Sequence, residues 1–209
     1  MDPCDMNTSR TDTGRMDPSP RPLRPGLAPP GGASWVPLLA VSLGYFMVIL
    51  DATAVNLALP ALRHDLGGGI TGLQWVVDGY TLAFAALLLS AGVAGDRLGP
   101  RRVFLAGLLL FTAASAGCAL APALGVLVLI RLIQGAAAAL LVPSSLALLQ
   151  ASYPDRARRA RAVGLWGGLG GLAAASGPVL GGGLAAAVGW RPAFAVNIPV
   201  GLLTCWLPR

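Results

Sequence analysis

The sequence predicts an all-α integral membrane protein with six transmembrane helices. Of its 209 residues, 55% are hydrophobic and only 11% are charged, whereas a soluble domain usually carries about twice that share of charge. The apolar residues form long runs, and about 20 apolar residues are enough for a helix to cross a bilayer. A soluble helical core is disfavoured, because runs of this length leave almost no polar face for water.

The chain divides into a polar tail and a series of apolar runs. Residues 1–34 are rich in proline and contain four arginines, so we expect a disordered cytoplasmic tail rather than a signal peptide. Residues 35–209 should form the six-helix bundle. Pro122 marks a break within the third run, and the sixth run is short. The candidate spans are residues 35–60, 75–95, 103–130, 123–150, 162–190 and 192–208.

The arginines predict the orientation of these spans. With the N-terminus inside, twelve of the fifteen arginines fall on the inner side, Arg63 and Arg191 fall outside, and Arg131 lies within a span. The positive-inside rule therefore places both termini in the cytoplasm of a multi-pass protein of the cell membrane. The basic charge balance does not indicate nucleic acid, because the arginines do not cluster on one soluble face. The predicted partner is the lipid bilayer.

Three ionisable residues lie within the spans, where a charge is costly and is by default a sign of function. At 1.5 Å of rise per residue, Asp51 and Arg131 both lie roughly 12–14 Å below the outer surface, so they can interact. They are either a structural ion pair or a proton site whose protonation changes with the access of water. Asp78 lies close to the outer interface, where it is either solvated or attracts a cationic substrate.

The fifth span combines a proline with an unusual number of glycines. Pro178 removes one backbone hydrogen bond and should kink the helix. Small residues four positions apart let helix backbones approach closely in a membrane. Such pairs are Gly164 with Gly168, Gly167 with Gly171, and Gly177 with Gly181.

The sequence contains no motif typical of an enzyme active site or of a metal site. There is no phosphate loop and no Ser/His/Asp set, so we expect no enzymatic activity and no cofactor. The cysteines are widely spaced and His64 has no Cys/His company, so neither a disulfide framework nor a metal site is implied.

Four motifs resemble those of the major facilitator superfamily. Residues 92–102 read G-V-A-G-D-R-L-G-P-R-R and resemble its loop motif, G-x-x-x-D-R-x-G-R-[RK], with Pro100 as a minor departure. The other three resemble drug:proton antiporter motifs. They are L-D-x-T-x-V-N-x-A-L-P at residues 50–60, R-x-x-Q-G at 131–135 and G-P-x-x-G-G at 177–182. Residues 75–80, 190–191 and 197–199 are similar to the fourteen-span branch of that family.

The resemblance covers residues 35–207 and implies a bundle equivalent to the N-terminal half of the transporter fold. It implies export of small drug-like or antibiotic compounds, with protons as the coupling ion. It assigns Arg131 to proton coupling and assigns Asp51 and Asp78 to proton or substrate interaction. The residues assigned to conformational change are Asp96, Arg97 and Gly99 in the loop and Gly177, Pro178, Gly181 and Gly182 in the fifth span.

Two other functions stay open at this point, a carrier of another metabolite class and a non-transporting membrane fragment. The first-helix aspartate and the fifth-helix Gly-Pro motif favour the antiporter. The family places its small-molecule site between two six-helix halves, whereas this chain ends at Arg209. We expect a fragment or a truncated gene product that is inactive alone, and that is either unstable or paired with another copy or a separate second half.

The predicted topology has a direct test in intact cells. Cysteines introduced in place of Arg63 or Arg191 should react with a membrane-impermeant thiol reagent, because both positions are predicted to lie outside. A cysteine in place of Arg158 should react only after the cells are opened. Labelling of Arg158→Cys in intact cells would refute the topology.

Overall fold

Seven helices follow one another in the computed structural model, which describes residues 35–206. The first five are long and apolar enough to cross a membrane. The predicted tail, residues 1–34, and the final residues, 207–209, lie outside the described part of the chain. The helices are α1 (Trp35–Leu66), α2 (Ile70–Leu98), α3 (Pro100–Ala119), α4 (Leu124–Ser152), α5 (Arg156–Val188), α6 (Arg191–Ala195) and α7 (Asn197–Trp206).

Local sequence sets the tight connections between these helices. Gly99 joins α2 to α3 with a φ of +89°, a conformation that glycine adopts without steric cost. Pro100 occupies the first turn of α3, where its missing N–H leaves no hydrogen bond unmade. Asp155 precedes α5 and accepts a 2.8 Å hydrogen bond from the backbone N–H of Arg158, as a helix-capping residue does.

The sixth predicted span differs from the structure. Residues 192–208 were expected to form one helix, but the described part of this run belongs to two short helices, α6 and α7. Pro199 has no N–H to donate to the carbonyl of Ala195, and its ring crowds that carbonyl. Helix α6 ends at Ala195 for this reason. The described residues therefore contain five helices of spanning length, and the expected count of six is not confirmed.

The helices pack around α1 and α4. Helix α5 packs on α1, α2 and α3 pack on α4, and α7 packs on α3 and α1. One apolar cluster surrounds Phe104, Leu108 and Phe111. A second surrounds Trp190 and Phe194. Helices α2 and α5 flank the bundle and are the least buried of the five long helices.

Two glycines allow α5 to approach α1 closely. A Cβ atom added at Gly181 would lie 2.7 Å from the Cα atom of Ala54, and one added at Gly177 would lie 2.6 Å from the Cβ atom of Thr53. Neither position has room for a side chain. At Gly182 an added Cβ would lie 3.4 Å from Leu57, which is an ordinary contact, so close packing does not depend on this third glycine.

The other predicted glycine pairs of α5 make no close contact within the described part of the chain. Among residues 35–206 an added Cβ at any of these positions would meet no atom within 4 Å, because these glycines lie on the outward face of the helix. Pro178 is also exposed, and α5 continues through it without a break. The kink at Pro178 stays a prediction. The outward-facing glycines are Gly164, Gly167, Gly168 and Gly171.

A matched pair of alanine substitutions tests the contact between α1 and α5. Gly181→Ala should destabilise the protein by about 1–3 kcal/mol, because its methyl group overlaps backbone atoms that cannot move aside. Gly183→Ala adds the same methyl group where no atom lies within 4 Å, and should be neutral or stabilising by up to about 1 kcal/mol. Thermal unfolding in detergent measures both. Equal midpoints for the two variants would contradict the proposed close approach.

Candidate functional site

Five polar side chains from four helices meet in the interior of the bundle. They are Asp51 of α1, Ser115 of α3, Arg131 and Gln134 of α4, and Asn197 of α7, and none is more than 1% exposed. We call this group the central polar cluster. It lies between the two apolar clusters, since α1 contributes Val48 to the first and Val55 to the second.

An ion pair between Arg131 and Asp51 forms the centre of this cluster. The Nη1 atom of Arg131 donates to Oδ2 of Asp51 at 2.5 Å and to Oε1 of Gln134 at 3.0 Å. Its Nε atom donates to the backbone carbonyl of Val76 at 3.0 Å. The guanidinium carbon lies 4.1 Å from the ring centroid of Tyr80, within the range of a cation–π interaction. The cation therefore contacts three helices.

The second carboxylate oxygen of Asp51 accepts hydrogen bonds from two amides. Gln134 Nε2 donates to Oδ1 at 3.0 Å, and Asn197 Nδ2 donates to the same atom at 2.9 Å. Both amide nitrogens also contact the hydroxyl oxygen of Ser115, at 2.8 and 3.3 Å. With Arg131 on Oδ2, the carboxylate faces three donors, and an ionised carboxylate, which only accepts, matches this set.

This arrangement meets the requirements for burying charge. An unpaired ion inside an apolar bundle is strongly unfavourable, and a pair repays its desolvation only when the geometry is good and the remaining polar atoms are bonded. Both conditions hold at Asp51. The interaction between Asp51 and Arg131 that the sequence allowed is thus present as a direct contact.

A comparison with known proteins identifies the bundle. The family model described as Major Facilitator Superfamily matches residues 41–209, which is most of the chain and includes the whole central polar cluster. The chain belongs to the major facilitator superfamily.

Individual relatives in this superfamily carry names of resistance and export. The Methylenomycin A resistance protein of Bacillus subtilis is 45% identical over 78% of this chain and 35% of its own length. The Tetracenomycin C resistance and export protein of Streptomyces glaucescens is 42% identical over 82% of this chain and 32% of its own length. The Multidrug resistance protein Stp of Mycobacterium tuberculosis is 44% identical over 81% of this chain and 32% of its own length. The chain spans about a third of the length of these relatives. All three names state resistance, and one of them also states export.

The remaining site residues predicted from the family motifs lie away from the central polar cluster. Asp78 is exposed on α2, whereas Val76 and Tyr80 on the same helix are buried and contact Arg131. Asp96 and Arg97 are exposed at the end of α2. Among the described residues, Asp78, Asp96 and Arg97 make no ion pair within the bundle.

The loop motif borders a cleft of about 320 Å³ between α2 and α4. Asp96 and Gly95 line one wall, and Ser144 lines the other. The Ser144 hydroxyl is buried and has no hydrogen-bond partner among the described residues. The structure therefore separates the predicted residues into a buried charge pair and a more exposed loop cleft.

The sequence reasoning assigned no site role to Ser115, Gln134 or Asn197. Gln134 and Asn197 belong to quoted motifs, and Ser115 lies in an uncharged run. Their polarity could have indicated a role, because neutral polar residues in transmembrane helices often hydrogen-bond to other helices. Their partners could not be inferred, since Asn197 and Asp51 are 146 positions apart.

A second polar contact, also not foreseen, joins the end of α1 to the start of α6. The indole N–H of Trp190 donates to Oδ2 of Asp65 at 3.2 Å. Arg191 lies 3.7 Å from the same oxygen and 4.5 Å from the Trp190 ring centroid. Trp190 itself is fully buried. This contact closes the end of the bundle that carries Arg63 and Arg191.

Unequal effects of removing each charge test the ion pair. Asp51→Leu leaves Arg131 buried and permanently charged, and should destabilise the protein by about 3–5 kcal/mol. Arg131→Met should cost less, because Asp51 can become neutral by binding a proton. The double variant should recover much of the loss of Asp51→Leu, as measured by thermal unfolding in detergent. Strictly additive effects would show that the two side chains are not coupled.

Proposed function

We propose that the complete protein exports small drug-like or antibiotic compounds across the cell membrane in exchange for protons. The observation that carries this proposal is the buried pair of Asp51 and Arg131, which lies at the centre of the bundle and is completed by two amide donors. An ionisable residue inside a membrane bundle marks an ion or proton pathway. The names of the relatives favour drug and antibiotic export over a carrier of another metabolite class.

We further propose that the bundle is the N-terminal half of a larger transporter. In this arrangement α6 and α7 together form the sixth span, and both ends of the bundle's chain lie in the cytoplasm. The distribution of arginines supports this orientation, because the helix ends that meet at the α2–α3 and α4–α5 connections carry at least three of them at each connection. The opposing wall of the substrate site would come from a second six-helix half or from another copy of the chain.

Protonation of Asp51 would change the contacts that join α1 to α4. In the ionised state the carboxylate attracts the guanidinium of Arg131 at 2.5 Å, and that attraction is strong in a medium of low dielectric constant. A proton taken up from outside makes Asp51 neutral and removes this attraction. Release of the proton to the cytoplasm restores it. The two states differ in how firmly α1 and α4 are held together, which is what a transporter that moves between two conformations requires.

Substrate chemistry is proposed from the exposed surfaces of the flanking helices. Helices α2 and α5 present broad apolar faces, which favour lipophilic compounds. Asp78 adds a negative charge on α2 that would attract a cation. We propose that compounds combining an apolar body with a positive charge are preferred, and that Asp96, Arg97 and Gly99 act in the conformational change at the opposite end of α2.

Replacing Asp51 in the complete transporter tests proton coupling. Asp51→Asn keeps the size of the side chain and one oxygen that can accept from Arg131, but it cannot ionise. Proton-driven export from proteoliposomes should therefore fall to background while the protein remains folded in the membrane. Asp155→Asn is the matched control, because Asn caps a helix as well as Asp does and this residue lies outside the cluster.

Three results separate the readings of Asp51. Export lost with intact thermal unfolding supports proton coupling. Loss of folding in Asp51→Asn would make the pair structural. Full proton-driven export by Asp51→Asn would remove both roles.

A further inference from the structure

Gln134 and Asn197 donate to the same oxygen of Asp51 but differ at their other ends. The Gln134 carbonyl oxygen accepts from Arg131 Nη1 at 3.0 Å and from the Cys118 thiol at 3.4 Å. The Asn197 carbonyl oxygen is buried and has no donor among the described residues. One amide is therefore held at both ends, and the other is held at one end only.

This difference determines which of the two amide groups can rotate by half a turn. Rotation by half a turn about the last side-chain torsion exchanges the oxygen and nitrogen of an amide. In Gln134 such a rotation would place an NH₂ group against the Arg131 guanidinium and would break four hydrogen bonds, two at the oxygen and two at the nitrogen. In Asn197 the oxygen gives up no partner. A reversal of Asn197 costs only the two hydrogen bonds of its nitrogen, to Asp51 and Ser115. A reversal of Gln134 costs the hydrogen bonds of its oxygen as well.

The position of Arg131 decides which oxygen of Asp51 takes up a proton. Oδ2 faces the guanidinium at 2.5 Å, and a nearby cation disfavours a proton there. Oδ1 faces only the two neutral amides. A proton bound at Oδ1 converts that atom from an acceptor into an O–H donor, and an amide NH₂ group cannot accept from it.

We propose that Asn197 reverses its amide when Asp51 is protonated, so that Asn197 Oδ1 accepts the new O–H of Asp51. The Ser115 hydroxyl, 3.3 Å from Asn197 Nδ2, then donates to the same amide oxygen instead of accepting. Asn197 is a positioning residue that accommodates Asp51 in both protonation states. Because Asn197 begins α7 and Ser115 lies on α3, the reversal links the proton to two helices that do not carry the ion pair.

The other titratable groups of the helices packed around Asp51 have identified positions and partners. Arg131 on α4, Tyr80 on α2 and Cys118 on α3 interact electrostatically with it or with each other. The arginines of α5 lie in its first two turns, Arg191 of α6 pairs with Asp65, and Cys205 lies two turns along α7 from Asn197. Asp51 is therefore the acidic group whose protonation the reversal would follow.

Infrared difference spectroscopy tests the inference, which rests on the proposed proton site at Asp51. The complete transporter in detergent is acidified with and without isotope-labelled asparagine. A carboxylic acid band that disappears in Asp51→Asn identifies protonation of Asp51. The inference expects an asparagine amide band that shifts together with that acid band, and that is absent in Asp51→Asn and in Asn197→Leu.

The possible outcomes separate the inference from the proposal on which it rests. If the Asp51 acid band appears and the asparagine band does not move, the reversal is wrong and the proton site stands. If no acid band depends on Asp51, the proposed proton site fails. The wild-type measurement decides the inference even if Asn197→Leu does not fold.

Transport measurements supply a second readout with a control on the same helix. Asn197→Leu should lower proton-driven export about tenfold, the effect expected for losing one hydrogen bond to a charged group. Thr204→Val removes a buried hydroxyl of α7 that bonds only to the carbonyl of Val200, and should keep wild-type export. Wild-type export and pH profile in a folded Asn197→Leu protein would overturn the inference.

Discussion

The ion pair between Asp51 and Arg131 is the interaction on which the interior of this bundle depends. Two charges are buried at the contact of α1 and α4, and every other member of the central polar cluster donates to or accepts from one of them or from their immediate partners. If the pair were absent, Gln134 and Asn197 would lose the carboxylate oxygen to which both donate and would share only the Ser115 hydroxyl. The pair therefore organises contributions from four helices into one site.

Apolar packing and close glycine contacts hold that site in place. The clusters around Phe104 and Trp190 lie on either side of Asp51 along α1. The approach of α5 to α1 at Gly177 and Gly181 completes the enclosure. The site is enclosed by these contacts, whereas the flanking helices α2 and α5 keep large apolar faces exposed.

The parts of this structure that follow from periodicity and composition could be predicted, and those that depend on three-dimensional partners could not. Long uncharged runs predict the five spanning helices, and equal depth predicts the contact of Asp51 with Arg131. The division of the last run could not be read from hydropathy, which does not register the missing N–H of Pro199. The face of α5 occupied by each glycine depends on where α1 lies, so a small-residue spacing alone did not distinguish Gly181 from Gly171.

The unequal lengths of the helices have a consequence for the surrounding lipid. Helix α1 has 32 residues and α3 has 20, which correspond to about 48 and 30 Å at 1.5 Å per residue. The hydrocarbon layer of a bilayer is about 30 Å thick, so α3 matches it without tilting and α1 exceeds it. A helix longer than the layer tilts, extends into the headgroups or thickens the bilayer locally. In a bilayer of that thickness a helix as long as α1 would therefore have to tilt or extend into the headgroups, whereas a helix as long as α3 would not.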